Sequence, residues 1–296
     1  MRQFLQKTDK KTLFIINPLA GKGRYETLIK IIDKYPLADY IITSQAEQVN
    51  DIVDSRLDDY YYFVAVGGDG TVNELANALV NKQNVLAVLP YGSGNGFARE
   101  FGFRKNVKQL LRFIDRGEIR KIDTIRLNNK LSINVSGIGF DGDVAHRFQF
   151  AKNRGLFHYC FCTLVAVFSH KAFYASIQCS DFTVEGKFYM ISFANTRQFG
   201  HNAFIAPSAI PDDGLIDIVA VRPFPKILFP WFAIKMFTRL IKQSKYIEYK
   251  TTACNISIKT DYNKYHIDGD PVLASGTSTL SIIPGSLTVL KTQHLV

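Results

Sequence analysis

Three times in the first hundred residues a short apolar run ends in a turn rich in glycine. The runs 12–16, 63–66 and 85–89 lead into Asn17-Pro18-Leu19-Ala20-Gly21-Lys22-Gly23, Gly67-Gly68-Asp69-Gly70-Thr71 and Pro90-Tyr91-Gly92-Ser93-Gly94-Asn95-Gly96. A fourth run, 40–43, ends at Thr43. β-branched and apolar stretches of this length read as buried strands. Between them lie 25–34, 45–57, 72–80 and 105–116, whose apolar residues recur at three and four, the helical spacing. Strands alternating with helices predict a doubly wound parallel sheet. Such sheets bind their ligands at the carboxyl ends of the strands, where these turns fall.

After Asp123 the texture changes. Short alternating segments at 131–135, 176–179, 187–193, 215–221, 256–258, 279–283 and 286–290 are broken by Asn-Asn, Asp-Gly and Pro-Gly pairs. That pattern predicts a mainly antiparallel β domain, interrupted by helical stretches near 144–169 and 225–243. The expected organisation is α/β followed by mainly β: a nucleotide domain over 1–128, a β-sandwich over 129–296, and a cleft between them.

Glycines let a backbone approach an anion and present N–H groups to it, and the start of a helix favours negative charge. Asp69 sets a carboxylate among those amides, where it can orient a metal or a hydroxyl. An isolated GGxG also suits an ordinary βα turn with Asp69 as helix cap. Three such turns on one sheet edge point to a nucleotide held by backbone amides. Neither GxxxxGK[ST] nor GxGxxG is present, so the common P-loop and the dinucleotide fingerprint are not indicated.

The ordered set NPxxGKG, GGDGTVNE and LPYGSGNGFAR resembles the diacylglycerol kinase and sphingosine kinase catalytic-domain superfamily, with its bacterial YegS-like lipid kinases. The resemblance runs on through Lys121-Ile122-Asp123, Gly137–Asp141, Ala206-Pro207, Asp212–Asp217 and His266–Asp270. It implies an ATP-dependent transfer of phosphate to a lipid hydroxyl, of diacylglycerol or a sphingoid-type lipid, within phospholipid metabolism. It further implies ATP contacts from Asn17, Thr43, Gly67, Gly68, Asp69, Gly70, Thr71, Asn73 and Ser93. Asp270 matches the family's general base, with Asp69 next in line, and Asp123 an acidic member of its catalytic network. Ile210, Asp213 and Leu215 match a Mg²⁺ site built from one carboxylate and two carbonyls, hard oxygen donors that suit that ion. Two positions depart from the pattern: Gly96 stands where many bacterial members carry an acidic residue, and Asp270 replaces a Glu. The rival readings are an NAD kinase-like enzyme, which shares GGDG, and a non-catalytic regulatory protein that keeps the nucleotide fold.

Charge and hydropathy bound the partners. The formal net charge of +10 admits polyanions, among which an anionic membrane surface is expected and nucleic acid is not. The N-terminal residues are too polar for a signal peptide, and the most apolar stretch, 155–170, falls short of a bilayer span. A cytoplasmic protein peripheral to the membrane is expected, a homodimer being one assembly it allows. Residues 222–245 mix basic with aromatic and aliphatic side chains; a helix over 234–242 would place Lys235, Arg239 and Lys242 on one face, fit for the headgroup plane. The aromatic run 157–173 suits either core packing or the wall of an acyl-chain pocket. Cys160, Cys162, Cys179 and Cys254 lack the spacing of a zinc site. His146, His158, His170 and His201 read as structural.

Overall fold

The computed structural model describes residues 10–23, 25–43, 48–149, 156–274 and 276–292. They form two compact units, 1–122 with 286–296, and 123–285.

In the first unit the elements alternate: β1 (Thr12–Ile16), α1 (Glu26–Ile32), β2 (Ala38–Ile42), α2 (Gln48–Asp54), β3 (Tyr62–Gly67), α3 (Asp69–Leu79), β4 (Val85–Pro90), α4 (Gly96–Glu100) and α5 (Val107–Arg116). Residues 45–47 of the expected second helix lie outside the described residues. The strands are parallel in the order β2-β1-β3-β4. Every residue of β1, β3 and β4 is buried, as a sheet covered on both faces demands. Asn106 caps α5 by accepting from the Gln109 N–H, and Gly117, at φ +68°, closes its other end.

β5 (Ile119–Leu127) carries the chain into the second unit, which is mainly antiparallel. Its elements are β6 (Lys130–Ser132), β7 (Val135–Gly139), α6 (Phe140–Gln149), α7 (Leu156–Ser169), β8 (Phe173–Gln178), β9 (Thr183–Phe188), β10 (Met190–Ala194), β11 (Ile216–Val221), α8 (Phe229–Phe237), β12 (Ile247–Thr252), β13 (Ile256–Thr260), β14 (Lys264–Ile267), β15 (Asp270–Leu273) and β16 (Thr277–Leu290). One sheet has the order β12-β11-β10-β7-β14-β15; the other sets β9, β8, β13 and the start of β16 side by side. Ile138, Phe193 and Ile218 of the first meet Ile177, Phe188 and Ile258 of the second in a sandwich core. The period of two sends Met190, Val219 and Val221 to the opposite face, where Phe224, Phe232 and Ile241 cover them.

Four expectations need correction. The stretch 131–135 is two strands parted at Ile133-Asn134. The stretch 187–193 is also two strands, because the chain passes from one sheet to the other at Tyr189 while keeping its apolar faces on the same core. The stretches 279–283 and 286–290 are one strand, β16, carried through Pro284-Gly285. The helix expected over 234–242 stops at Phe237, so Lys235, Arg239 and Lys242 share no helical face. Apolar periodicity continues, but Arg239 turns left-handed at φ +60° and the Leu240 N–H donates to the Lys235 carbonyl, which closes the helix. Among the described residues no helix is long and apolar enough to cross a membrane.

Candidate active site

Backbone hydrogen bonds and close glycine contacts knit the four turns at the carboxyl ends of β1–β4. The Asn17 N–H donates to the Val66 carbonyl and its side-chain amide to Thr71 Oγ1, 3.1 Å away. The Thr43 N–H and hydroxyl both donate to the Ile16 carbonyl. The N–H groups of Tyr91 and Gly92 converge on the Gly67 carbonyl at 2.8 and 3.1 Å. A Cβ on Gly67 would strike the Thr71 side chain, and one on Gly21, at φ +62°, the Tyr91 ring. The structure thus brings together Asn17, Thr43, Gly67, Gly68 and Thr71, with Asp69 as the first residue of α3 and Asn73 one turn later. Ser93 is exposed in the turn after β4. That turn ends at Asn95, left-handed at φ +50°, whose side chain donates to the Gly92 carbonyl before Gly96 opens α4. The first amides of α3 lack partners within the helix and point at this edge, which makes it an anion seat.

The remaining expected residues lie in the second unit. Asp123 is buried, and each of its carboxylate oxygens accepts a backbone N–H at 2.7 Å, from Gly214 and from Gly285. Its own N–H donates to the Pro211 carbonyl, and its carbonyl accepts from Asn195. These bonds fix the loop that carries Ile210, Asp213 and Leu215. Asp213 accepts the Leu215 N–H at 3.0 Å. Burial, with the nearby charges of Asp123 and Asp212, raises the pKa of Asp213 despite that bond. Among the described residues, no group of three or more His, Cys, Asp or Glu side chains could hold a metal.

Asp268-Gly269 is the two-residue turn of a hairpin that Asp270 leaves as the first residue of β15. Ile267 pairs with Asp270, and both central residues have positive φ, +51° at Asp268 and +96° at Gly269, the type I′ geometry that Asp-Gly favours. The first carboxylate is structural: Asp268 accepts the Ile133 and Asn134 N–H groups and the Ser132 hydroxyl at 2.6–2.9 Å. The second, Asp270, opens β15 with its residue exposed. His266 helps set the turn, its Nδ1 accepting the Gly269 N–H while Nε2 stands 3.1 Å from Asp141.

A further polar group has no signal in the sequence beyond its residue types. His170 Nδ1 lies 2.8 Å from Asp143 Oδ2, and Lys264 Nζ donates to Oδ1 at 2.9 Å. Burial pushes the Asp143 carboxyl up, but hydrogen bonds from His170, Lys264 and Tyr262 outweigh it and hold the carboxyl well below the ordinary range. The other nitrogen of His170, Nε2, is buried with no hydrogen-bond partner among the described residues, and the residue lines a cavity of about 30 Å³ with Phe140, Val167, Phe224, Phe229 and Phe232. That is room for one or two water molecules.

Comparison with known proteins assigns both parts of the chain. The diacylglycerol kinase catalytic domain matches residues 11–127, and the YegS C-terminal NAD kinase beta sandwich-like domain matches 134–291. Over 192 residues the chain is 30% identical to a protein of Shewanella frigidimarina named "Probable lipid kinase YegS-like", a stretch covering 62% of each. The chain therefore spans less than two thirds of that relative's length. A crystal structure of a diacylglycerol kinase from Bacillus anthracis aligns with a TM-score of 0.77 at 20% identity, over 98% of this chain and 100% of that one. An NAD kinase from Archaeoglobus fulgidus in complex with ATP aligns at 0.56 with 11% identity, over 95% and 94%. At such identities the likeness is one of fold.

Proposed function

The chain belongs to the YegS-like family of lipid kinases, in which a diacylglycerol kinase catalytic domain precedes a YegS C-terminal domain, and from that premise we propose that it transfers the γ-phosphoryl of ATP to the hydroxyl of a membrane lipid, diacylglycerol or a sphingoid-type lipid. The observation that carries this reading is the interlocked set of turns around the N-terminus of α3, with Asp69 at its first position. Asn17, Thr43, Gly67–Thr71, Asn73 and Ser93 hold the nucleotide. In this reading ATP falls to the first unit, 1–122 with 286–296, and the lipid to the second, 123–285.

Phosphoryl transfer needs positioning and charge neutralisation more than covalent chemistry. The lipid oxygen bonds to the γ-phosphorus, the bond to the β–γ bridging oxygen breaks, ADP leaves, and a carboxylate takes the hydroxyl proton. Asp270 is that base, and Asp69 serves if Asp270 does not. Asp123 acts through others: its carboxylate, spent on Gly214 and Gly285, positions the loop of Asp213. Asp213 with the carbonyls of Ile210 and Leu215 would hold Mg²⁺, which would supply positive charge when bound. The protein works at the periphery of an anionic membrane on the cytoplasmic side.

Transfer of radiolabel from [γ-³²P]ATP to a panel of extracted lipids tests the reading, with NAD as a parallel acceptor. Labelled lipid is the expected product. Labelled NADP would establish the NAD kinase alternative, and no transfer to any acceptor would leave a nucleotide-binding regulatory protein.

A further inference from the structure

Two stretches of the second unit contain no Asp or Glu at all. Residues 144–180 carry Arg147, Lys152, Arg154 and Lys171; residues 218–247 carry Arg222, Lys226, Lys235, Arg239, Lys242 and Lys245. The same stretches hold α7 and α8 and an unusual share of the exposed large apolar side chains. On α7, Phe161, Leu164 and Phe168 are exposed and spaced as one helical stripe, while Cys162 and Ala166 face α6 in a buried cluster. A helix apolar on all sides is ordinarily buried all round; α7 leaves one side bare. Around α8 the exposed residues are Ile227, Ile234, Phe237 and Leu240.

The two stripes meet. Lys226 Nζ donates to the Phe168 carbonyl at 2.6 Å, so a cation caps the carboxyl end of α7 and ties to it the segment that carries Ile227; Ile227 is 85% and Phe168 70% exposed. With 14 residues, α7 is about 21 Å long, too short to span a bilayer and suited to lying along one. Apolar side chains that penetrate, on stretches that carry cations and no Asp or Glu of their own, Arg222 being paired with Glu248 from just beyond, are complementary to an anionic lipid surface.

We infer that the exposed stripes of α7 and of the Lys226–Phe237 segment together form the face that docks on an anionic bilayer. This rests on the lipid-kinase reading for its purpose, since the acceptor must be reached where it lies, but not for its physics. Phe161, Leu164, Phe168, Ile227, Ile234 and Phe237 enter the interface, and the surrounding lysines and arginines meet the headgroups. Half of this face, α7, bears a single basic residue at its end, Lys171, and is found only because the fold sets it beside Lys226.

The test is co-sedimentation of the full chain with vesicles of phosphatidylcholine alone or with phosphatidylglycerol, at low and high salt, without ATP. Binding is expected only to the anionic vesicles and only at low salt. Lys171→Glu with Lys226→Glu should weaken it roughly fivefold or more for each cation lost. Phe161→Ser with Leu164→Ser and Phe168→Ser should weaken it about tenfold or more. Thermal midpoints are taken for every variant, and because the serine positions are exposed, they should remain those of the parent. Equal binding to neutral vesicles, indifference to salt, or parental binding by both variants would overturn the inference. So would a sedimentation-velocity shift from dimer to monomer in the serine variant, which would make this face a contact between copies. Turnover on lipid dispersed in detergent separates the two readings: activity there without vesicle binding removes the docking face alone, and vesicle binding without turnover on any lipid removes the kinase reading alone.

Discussion

The Cα of Gly68 lies 2.5 Å from where a Cβ on Gly92 would stand. Two turns that each present amides to the same edge are therefore pressed together with no space for a methyl group. Gly92→Ala should force them apart, lowering the thermal midpoint and kcat/KM for ATP together, the latter by about 10²-fold for a shift near 1 Å. Gly70 offers the contrast, since a Cβ there meets nothing within 4 Å among the described residues. Gly70→Ala should keep the parent's stability and weaken ATP binding alone, because only the incoming phosphate would meet the new methyl. Calorimetric titration with ATP beside thermal unfolding reads both.

Asp69→Asn should cost roughly 10²–10⁴ in turnover while the fold survives, the loss expected when a positioned carboxylate assists proton transfer. Single-turnover transfer from labelled ATP measures it. A variant keeping half the parental rate would remove Asp69 from the chemistry.

Asp268 and Asp270 lie two residues apart and should fail differently. Removing Asp268 strips Ile133, Asn134 and Ser132 of one shared acceptor, so Asp268→Ala should destabilise the second unit by roughly 3 kcal/mol. Asp270→Ala should leave urea unfolding unchanged and lower kcat far more than it raises the KM for ATP. If Asp270→Ala changes only ATP affinity, the proton goes to Asp69.

Acid should separate Asp143 from ordinary carboxylates. Its folded pKa is depressed, chiefly by His170 and Lys264 working against burial, while its ordinary value is 3.8. A depressed folded pKa means the stabilisation is complete above the ordinary carboxylate range and is lost as pH falls through and below it. Asp143→Asn should therefore lower the thermal midpoint more at about pH 6 than at about pH 3. An equal loss at both would assign the effect to packing.

For Asp213 the shift runs the other way. Burial and the charges of Asp123 and Asp212 raise its pKa, so its proton competes with a cation at a higher pH than for a typical carboxylate. The Mg²⁺ concentration for half-maximal turnover should climb on acidification sooner than for an unshifted carboxylate. Asp213→Ala should raise that concentration at every pH and flatten its pH dependence. An unchanged Mg²⁺ titration would return the segment to a plain turn.

Much of the fold was legible because its signals are local. β1 has the bounds its apolar run implies, and the three glycine turns fall at strand ends as their composition requires. Where the reading failed, a distant contact decided the outcome. Nothing near Pro284-Gly285 says that the strand continues through it; the Gly285 N–H is held by Asp123, 162 residues away. The end of α8 hid in the same way, since Arg239 adopts a left-handed turn that its residue type does not favour, its guanidinium over the Phe204 ring. The motif around Asp268 was visible, but motif reading gave weight only to Asp270, because three hydrogen bonds to Ser132, Ile133 and Asn134 leave no periodic trace.

β16 has a consequence for how the molecule is made. It starts in the second unit and finishes in the first, where Val289 pairs in parallel with Leu86 of β4. The nucleotide half leaves the ribosome early, yet β4 must wait for this partner until residue 290 has been synthesised. Units that fold as they emerge ordinarily complete themselves from the N-terminus onward. Here the unit begun before the other is closed only after it, and a fragment cut at residue 128 would present the bare edge of β4 to any strand that found it.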